Sequence, residues 1–211
     1  MLIPFPNLVR KYNLKINGIL HIGAHLCEEL SWYNNFGIGN DKIIWVEANP
    51  KLVKENMDRD NSIIIKNFIC TDTDDGSSIL NISNNGQSSS ILEFGTHSKN
   101  HPQVVYVDTI EVTNRRIDTM YKIDNIPNNF ANFLNIDIQG AELLALKGTG
   151  NILNNFDYIY LEVNNDYVYK ECALINEIDD YLKTFKFKRI DVSWTEANWG
   201  DAFYIKDTIR N

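Results

Sequence analysis

The sequence predicts an α/β domain: a mostly parallel sheet with a closing antiparallel hairpin and helices on both faces. Three observations carry this. Short apolar runs of strand length alternate with segments of helical spacing. Glycines or an Asn-Pro pair fall at several joins, and the last two strand-like runs lie close enough to pair.

In chain order, residues 16–22 read as a buried strand ending at Gly23, and residues 28–36 as a helix stopped by Gly37. A second strand over 42–47 ends in Glu47-Ala48-Asn49-Pro50, whose proline suits the first turn of a helix over 51–58. The isoleucine-rich run 62–69 reads as a third strand. Residues 72–76 form a turn, 77–82 a half-exposed strand and 104–112 another. After a helix near 115–122, a strand is predicted over 132–138, a helix over 141–147 closed by Gly148, a strand over 157–163 and a helix over 174–184. Residues 187–192 and 202–205 form the closing pair. No repeat or linker divides the chain, so residues 1–211 are expected to form one domain. The segment 84–103 has little apolar periodicity and is expected to be an active-site loop or lid.

The 211 residues are 44% hydrophobic and 23% charged, enough apolar material for a full core. Twenty-eight acidic against 20 basic side chains give a net charge of −8. Nucleic-acid binders ordinarily carry a basic face, so no nucleic-acid partner is expected; the basic run 183–189 reads as a solvated helix end. Cys27, Cys70 and Cys172 lie far apart, which argues against a disulfide framework or a thiolate zinc site. No run approaches the roughly 18 apolar residues of a membrane span, and the start is not leader-like. A cytoplasmic location without a membrane partner is therefore expected; oligomeric state is left open.

Chemistry concentrates at the strand ends. The first strand leads into His21-Ile22-Gly23-Ala24-His25-Leu26-Cys27-Glu28, where open α/β sheets bind nucleotides. A dinucleotide requires G-x-G-x-x-G so that backbone can approach a pyrophosphate. Here His25 takes the second position, which favours a phosphate-free nucleoside such as S-adenosylmethionine. Glu47 ends the second strand, placed to accept from both ribose hydroxyls or, alternatively, to cap the helix that follows. Thr71 and Asp72 follow the third strand, within reach of an adenine amine, although Asp72 equally suits a plain turn. A metal site from His21, His25, Cys27 and Glu28 is disfavoured because one tight turn cannot aim all four inward.

Leu134-Asn135-Ile136-Asp137-Ile138-Gln139-Gly140-Ala141-Glu142, running on to Leu146-Lys147-Gly148, is the most specific segment. Here the chain resembles the FkbM-type family of S-adenosylmethionine-dependent methyltransferases, whose members typically show I-D-V-E-G-A-E and then L-x-G. Gln139 replaces the usual acidic residue. The resemblance extends to Gly23-Ala24-His25, with Cys27 where glycine is common, and to Glu47-Ala48-Asn49-Pro50. It continues through Gly86-Gln87-Ser88-Ser89-Ser90, Glu162 and Gly200-Asp201-Ala202-Phe203.

The resemblance implies a Rossmann-like methyltransferase fold, S-adenosylmethionine as cofactor and O-methylation of a hydroxyl on a sugar, glycan or related small molecule. It sets His21, Gly23, Ala24, His25, Glu28, Glu47, Asn49, Thr71, Asp72, Asp137 and Gln139 as cofactor-binding candidates. Asp137 and Glu162 are catalytic candidates; Asp137 would serve as general base or hold the donor's ammonium group. Ser88, Ser89, Ser90, His101 and Asp201 are acceptor-binding candidates, and His97 or His101 is a further base if the 84–103 segment covers the acceptor. Two other readings stay open: a methyltransferase-like binding module without turnover, and a nicotinamide-dependent oxidoreductase.

Overall fold

A computed structural model describes residues 1–209. Seven strands form the main sheet: β1 (Ile19–Ile22), β2 (Ile43–Glu47), β3 (Ile64–Asn67), β7 (Phe133–Ile136), β8 (Tyr158–Asn164), β9 (Phe187–Trp194) and β10 (Trp199–Lys206). Their spatial order is β3-β2-β1-β7-β8-β10-β9, parallel except for β10, which runs antiparallel to both β8 and β9. The predicted sheet and closing hairpin are both present. A smaller sheet of order β4-β6-β5 joins β4 (Ile69–Cys70), β5 (Ser77–Ser83) and β6 (Tyr106–Arg115).

Alternation along each strand explains the layers. Every residue of β1, β2, β7 and β8 is buried, as expected for parallel strands covered on both faces. Leu20, Ile22, Ile44, Val46, Leu134 and Ile136 face one core, beneath α5 (Ile117–Ile123), α6 (Glu142–Thr149) and α7 (Ile175–Thr184). Ile19, Ile43, Trp45 and Phe133 face the other, beneath α1 (Phe5–Tyr12) and α2 (Leu30–Asn35).

Three expectations need correction. The run 62–69 is not one strand: β3 lies in the main sheet, and the chain then leaves it so that β4 pairs with β6 in the small one. Gly148 does not end α6; the helix runs to Thr149 and Gly150 takes the cap with φ +51°. Gly148 is needed for packing instead, because a Cβ there would lie 2.0 Å from the Thr71 carbonyl oxygen. Helix α1 falls in a stretch with no predicted element, and its Phe5 and Leu8 bury completely.

Candidate active site

The strand order reverses between β1 and β7, and at such a point the loops leaving two neighbouring parallel strands diverge and open a crevice. Backbone bonds hold that crevice closely. Asp137 N–H donates to the Ile22 carbonyl at 2.9 Å, and Gly23 and Ala24 N–H both donate to Val46, at 2.9 and 3.0 Å. Gly23 has φ +91°, and a Cβ on it would lie 1.8 Å from the Asp137 carbonyl oxygen, so only glycine fits.

Two cavities meet there. The first is lined by Gly23, His25, Glu47, Asn49, Asp137 and Gln139, with an apolar wall from Leu52, Phe68, Ile69, Cys70, Leu80 and Ile91. The second, larger cavity is lined by His21, Glu28, Glu162 and Asp201, by Ser88, His97 and His101 from the 84–103 segment, and by Tyr169 and Trp199. Gly23, His25, Gln87, Asp137 and Gln139 belong to both. Among the described residues, no lysine or arginine lines either cavity.

Glu47 is buried at the end of β2, and each of its oxygens accepts a backbone N–H at 2.8 Å, from His25 and from Asn49. A carboxylate has roughly four acceptor positions, so one on each oxygen is left for a diol. Burial nevertheless raises its pKa. Asn49 also caps α3 (Pro50–Arg59), its side chain accepting from Lys51 N–H at 3.0 Å.

The turn after β7 carries the densest polar network. Gln139 sits at φ +58°, and its amide nitrogen donates to Asp137 Oδ1 at 2.8 Å and Glu162 Oε2 at 2.9 Å. Its amide oxygen accepts from the Tyr169 hydroxyl at 2.5 Å, and its backbone carbonyl accepts from Ser90 Oγ at 2.7 Å. Burial raises the pKa of both carboxyls. The neighbouring Asp201 charge adds to the shift at Asp137, and the Asp137 charge adds to that at Glu162, which is pushed well up. Glu142, also buried, accepts from Ile138 and Gly140 N–H at 3.1 Å each and closes the turn. Behind it, Tyr33 hydroxyl approaches His21 Nδ1 at 3.1 Å and accepts from Asn135 Nδ2 at 2.9 Å; burial lowers His21 to about 3, so the ring is neutral.

The structure therefore gathers most of the sequence candidates. Gly23, His25, Glu47, Asn49, Asp137 and Gln139 line the first cavity, while His21 and Glu28 line the second. Ala24 is buried beneath the turn. Thr71 and Asp72 line neither: the Thr71 hydroxyl bonds the Thr73 carbonyl, and Asp72 presents its carbonyl to Arg116. Of the three serines, Ser88 faces the second cavity, whereas Ser89 and Ser90 line the first. Asp201 accepts from the Tyr160 hydroxyl and the Leu2 N–H. Tyr169, Trp199 and the apolar wall were not anticipated; they come from separate segments that only the tertiary fold brings together.

The first cavity fits a phosphate-free nucleoside: it offers a diol acceptor and an apolar slot, and among the described residues no lysine or arginine for a phosphate. The sheet order and this crevice are those of the Rossmann-like methyltransferase fold, whose usual methyl donor is S-adenosylmethionine. The profile of the methyltransferase FkbM domain matches residues 21–189. The chain belongs to that family.

Solved structures share the fold. An FkbM methyltransferase from Methylobacillus flagellatus superimposes with a TM-score of 0.54 at 14% identity, over 90% of this chain and 43% of that one. This chain thus spans less than half of that relative's length. The magnesium protoporphyrin IX methyltransferase of Synechocystis, with bound S-adenosylmethionine, gives 0.51 at 9% identity over 95% and 74% of the two chains. TrmK from M. capricolum, in complex with S-adenosylhomocysteine, gives 0.51 at 8% identity over 91% and 62%. No curated protein sequence matches the chain. Among the described residues, no helix is long and apolar enough to cross a membrane.

Proposed function

We propose that this protein transfers a methyl group from S-adenosylmethionine to a hydroxyl of a sugar, glycan or related small molecule. The observation that carries the reading is the pair of cavities sharing one wall at Gly23, His25, Asp137 and Gln139. One chamber suits the nucleoside and the other an acceptor, and the shared wall is where the reacting atoms would meet.

When bound, the donor supplies an electrophilic methyl group on a sulfonium. Glu47 receives the ribose hydroxyls, and the apolar wall around Phe68 and Ile91 takes the adenine. Asp137 faces the donor's ammonium group, which offsets the cost of keeping that carboxylate buried. Glu162, oriented by Gln139, accepts a hydrogen bond from the acceptor, while Tyr169 and Trp199 offer ring faces to a sugar. The chain's main contribution is alignment and exclusion of water. The absence of lysine and arginine from the lining and the net charge of −8 favour an uncharged acceptor over a phosphorylated or nucleic-acid one.

Calorimetric titration with S-adenosylmethionine, followed by assay of S-adenosylhomocysteine release with methyl glycosides, tests this. Micromolar donor binding and acceptor-dependent release are expected; a folded chain that ignores millimolar donor would remove the reading.

A further inference from the structure

We infer that His25 is the general base of the reaction, its Nε2 receiving the acceptor's hydroxyl proton while Glu28 orients the ring. The inference rests on the methyl-transfer reading and adds a catalytic dyad to it.

His25 adopts φ +43°, a left-handed conformation that costs a non-glycine residue energy and persists only where the surroundings impose it. Here they do. Its N–H donates to Glu47 Oε2 at 2.8 Å, and its carbonyl accepts from Asn56 Nδ2 at 2.7 Å. Ring Nδ1 lies 2.6 Å from Glu28 Oε1, and the other Glu28 oxygen accepts from Leu26 N–H at 3.1 Å. Backbone N–H, carbonyl and Nδ1 are thus all committed. The remaining polar atom, Nε2, faces the 84–90 loop, where a Cβ on Gly86 would stand 3.3 Å from it. His25 is also one of the few residues lining both cavities.

A carboxylate on Nδ1 places the neutral ring's proton there and leaves the Nε2 lone pair bare, as in the carboxylate–imidazole pairs of nucleophilic enzymes. The Glu28 hydrogen bond raises the His25 pKa against the opposing effect of burial, and the charges of Glu28, Glu47 and Asp137 add to the rise. On the remaining sides, the 84–90 loop contains no charged side chain, and Arg59 of α3 donates to the Leu26 carbonyl at 2.6 Å. In the step itself the acceptor's O–H bond breaks with the proton passing to Nε2, the new O–CH3 bond forms, and the S–CH3 bond breaks with its electron pair left on sulfur. The imidazolium is stabilised by Glu28 and returns its proton to solvent through its exposed edge, 27% of the side chain being accessible.

Nitrogen-15 NMR of histidine-labelled protein, with His25 assigned by its loss in His25→Asn, reads the dyad without turnover. The expected result is a proton on Nδ1 of the neutral ring and a raised pKa that Glu28→Gln lowers. A proton on Nε2 of the neutral ring, or a pKa indifferent to Glu28→Gln, overturns the assignment. Asparagine tolerates the left-handed backbone, so His25→Asn keeps the turn. With methyl glycosides as acceptor probes, His25→Asn should lower kcat by about 100-fold or more while donor affinity changes by less than about threefold. Turnover equal to the unsubstituted protein overturns the assignment too. An unsubstituted chain that binds no donor overturns the methyl-transfer reading instead, and the NMR result still decides the state of His25.

Discussion

The Gln139 side-chain amide donates to Glu162 Oε2 at 2.9 Å, tying the turn after β7 to β8 across 23 residues of chain. The same nitrogen donates to Asp137, so one neutral amide separates two buried carboxyls. Gln139→Glu removes both donors and adds a third acid. A loss of about 2–3 kcal/mol at pH 7 is expected, the cost of leaving two buried carboxyls without their donor. The loss should shrink at pH 5, where the introduced carboxyl, once protonated, can donate again. Urea denaturation at the two pH values checks this; equal losses would show that the amide's donors are unimportant.

Glu47 serves the donor and the fold together. Glu47→Ala frees the N–H groups of His25 and Asn49 and removes the ribose acceptor, and S-adenosylhomocysteine affinity should fall about 100-fold, the worth of two or more charge-assisted bonds. Glu47→Gln should fall about as far, because its NH2 faces one of those N–H donors. Calorimetric titration of both variants is the measurement, and unchanged affinity in Glu47→Gln would refute the dual role.

Two glycines separate crowding from backbone strain. At Gly148 a Cβ meets the Thr71 carbonyl oxygen at 2.0 Å, whereas at Gly76 it meets nothing within 4 Å although φ is +68°. Gly76→Ala should cost about 1 kcal/mol from the left-handed backbone alone. Gly148→Ala should cost more than about 3 kcal/mol, since backbone must move. Thermal melts of the pair provide the comparison.

The raised carboxyls predict proton linkage. Asp137 and Glu162 hold protons in the folded, ligand-free chain above the ordinary carboxylate range, because burial disfavours their charge. A group whose folded pKa is raised contributes stability that is present below its unfolded pKa and is lost as pH rises through the folded value. Stability of the ligand-free protein should therefore decline with pH through that window. A cationic donor reverses the balance: its binding expels protons, and its affinity rises over the same range. Titrations in buffers of different ionisation enthalpy measure the release. Proton uptake in place of release would contradict the placement of the donor's charge beside Asp137.

Much of this was legible in the sequence where local rules suffice. Buried strands without polar faces, a glycine after β1, an acid ending β2 and the Asp137–Gly140 turn all announced themselves by residue type and spacing. The two departures, Cys27 and Gln139, where glycine and an acid are usual, both occupy left-handed backbone, at φ +53° and +58°. What escaped was tertiary. Nothing near Phe68 signals that the chain changes sheets there, and Tyr169 and Trp199 meet the 84–103 segment only because β8 and β10 carry them to the same edge. The proline-containing start concealed α1, whose short apolar stripe is anchored by packing against α2 and β7 through Phe5, Tyr33 and Phe133.

Side-chain bonds such as Ser88–Asn85 and Ser90–Gln139 hold the start of the 84–103 segment, and main-chain pairing fixes much of the rest. Gly95 and His97 N–H donate to the Val168 carbonyl, Thr96 N–H to Tyr167, and Asn81 and Ser90 exchange both their backbone bonds. Such bonds are indifferent to side-chain identity at most of these positions. The lining of the larger chamber can therefore be rewritten, residue by residue, while its course and the neighbouring chamber persist, so that descendants of one ancestor could diverge in what they modify long before they diverge in what they modify it with.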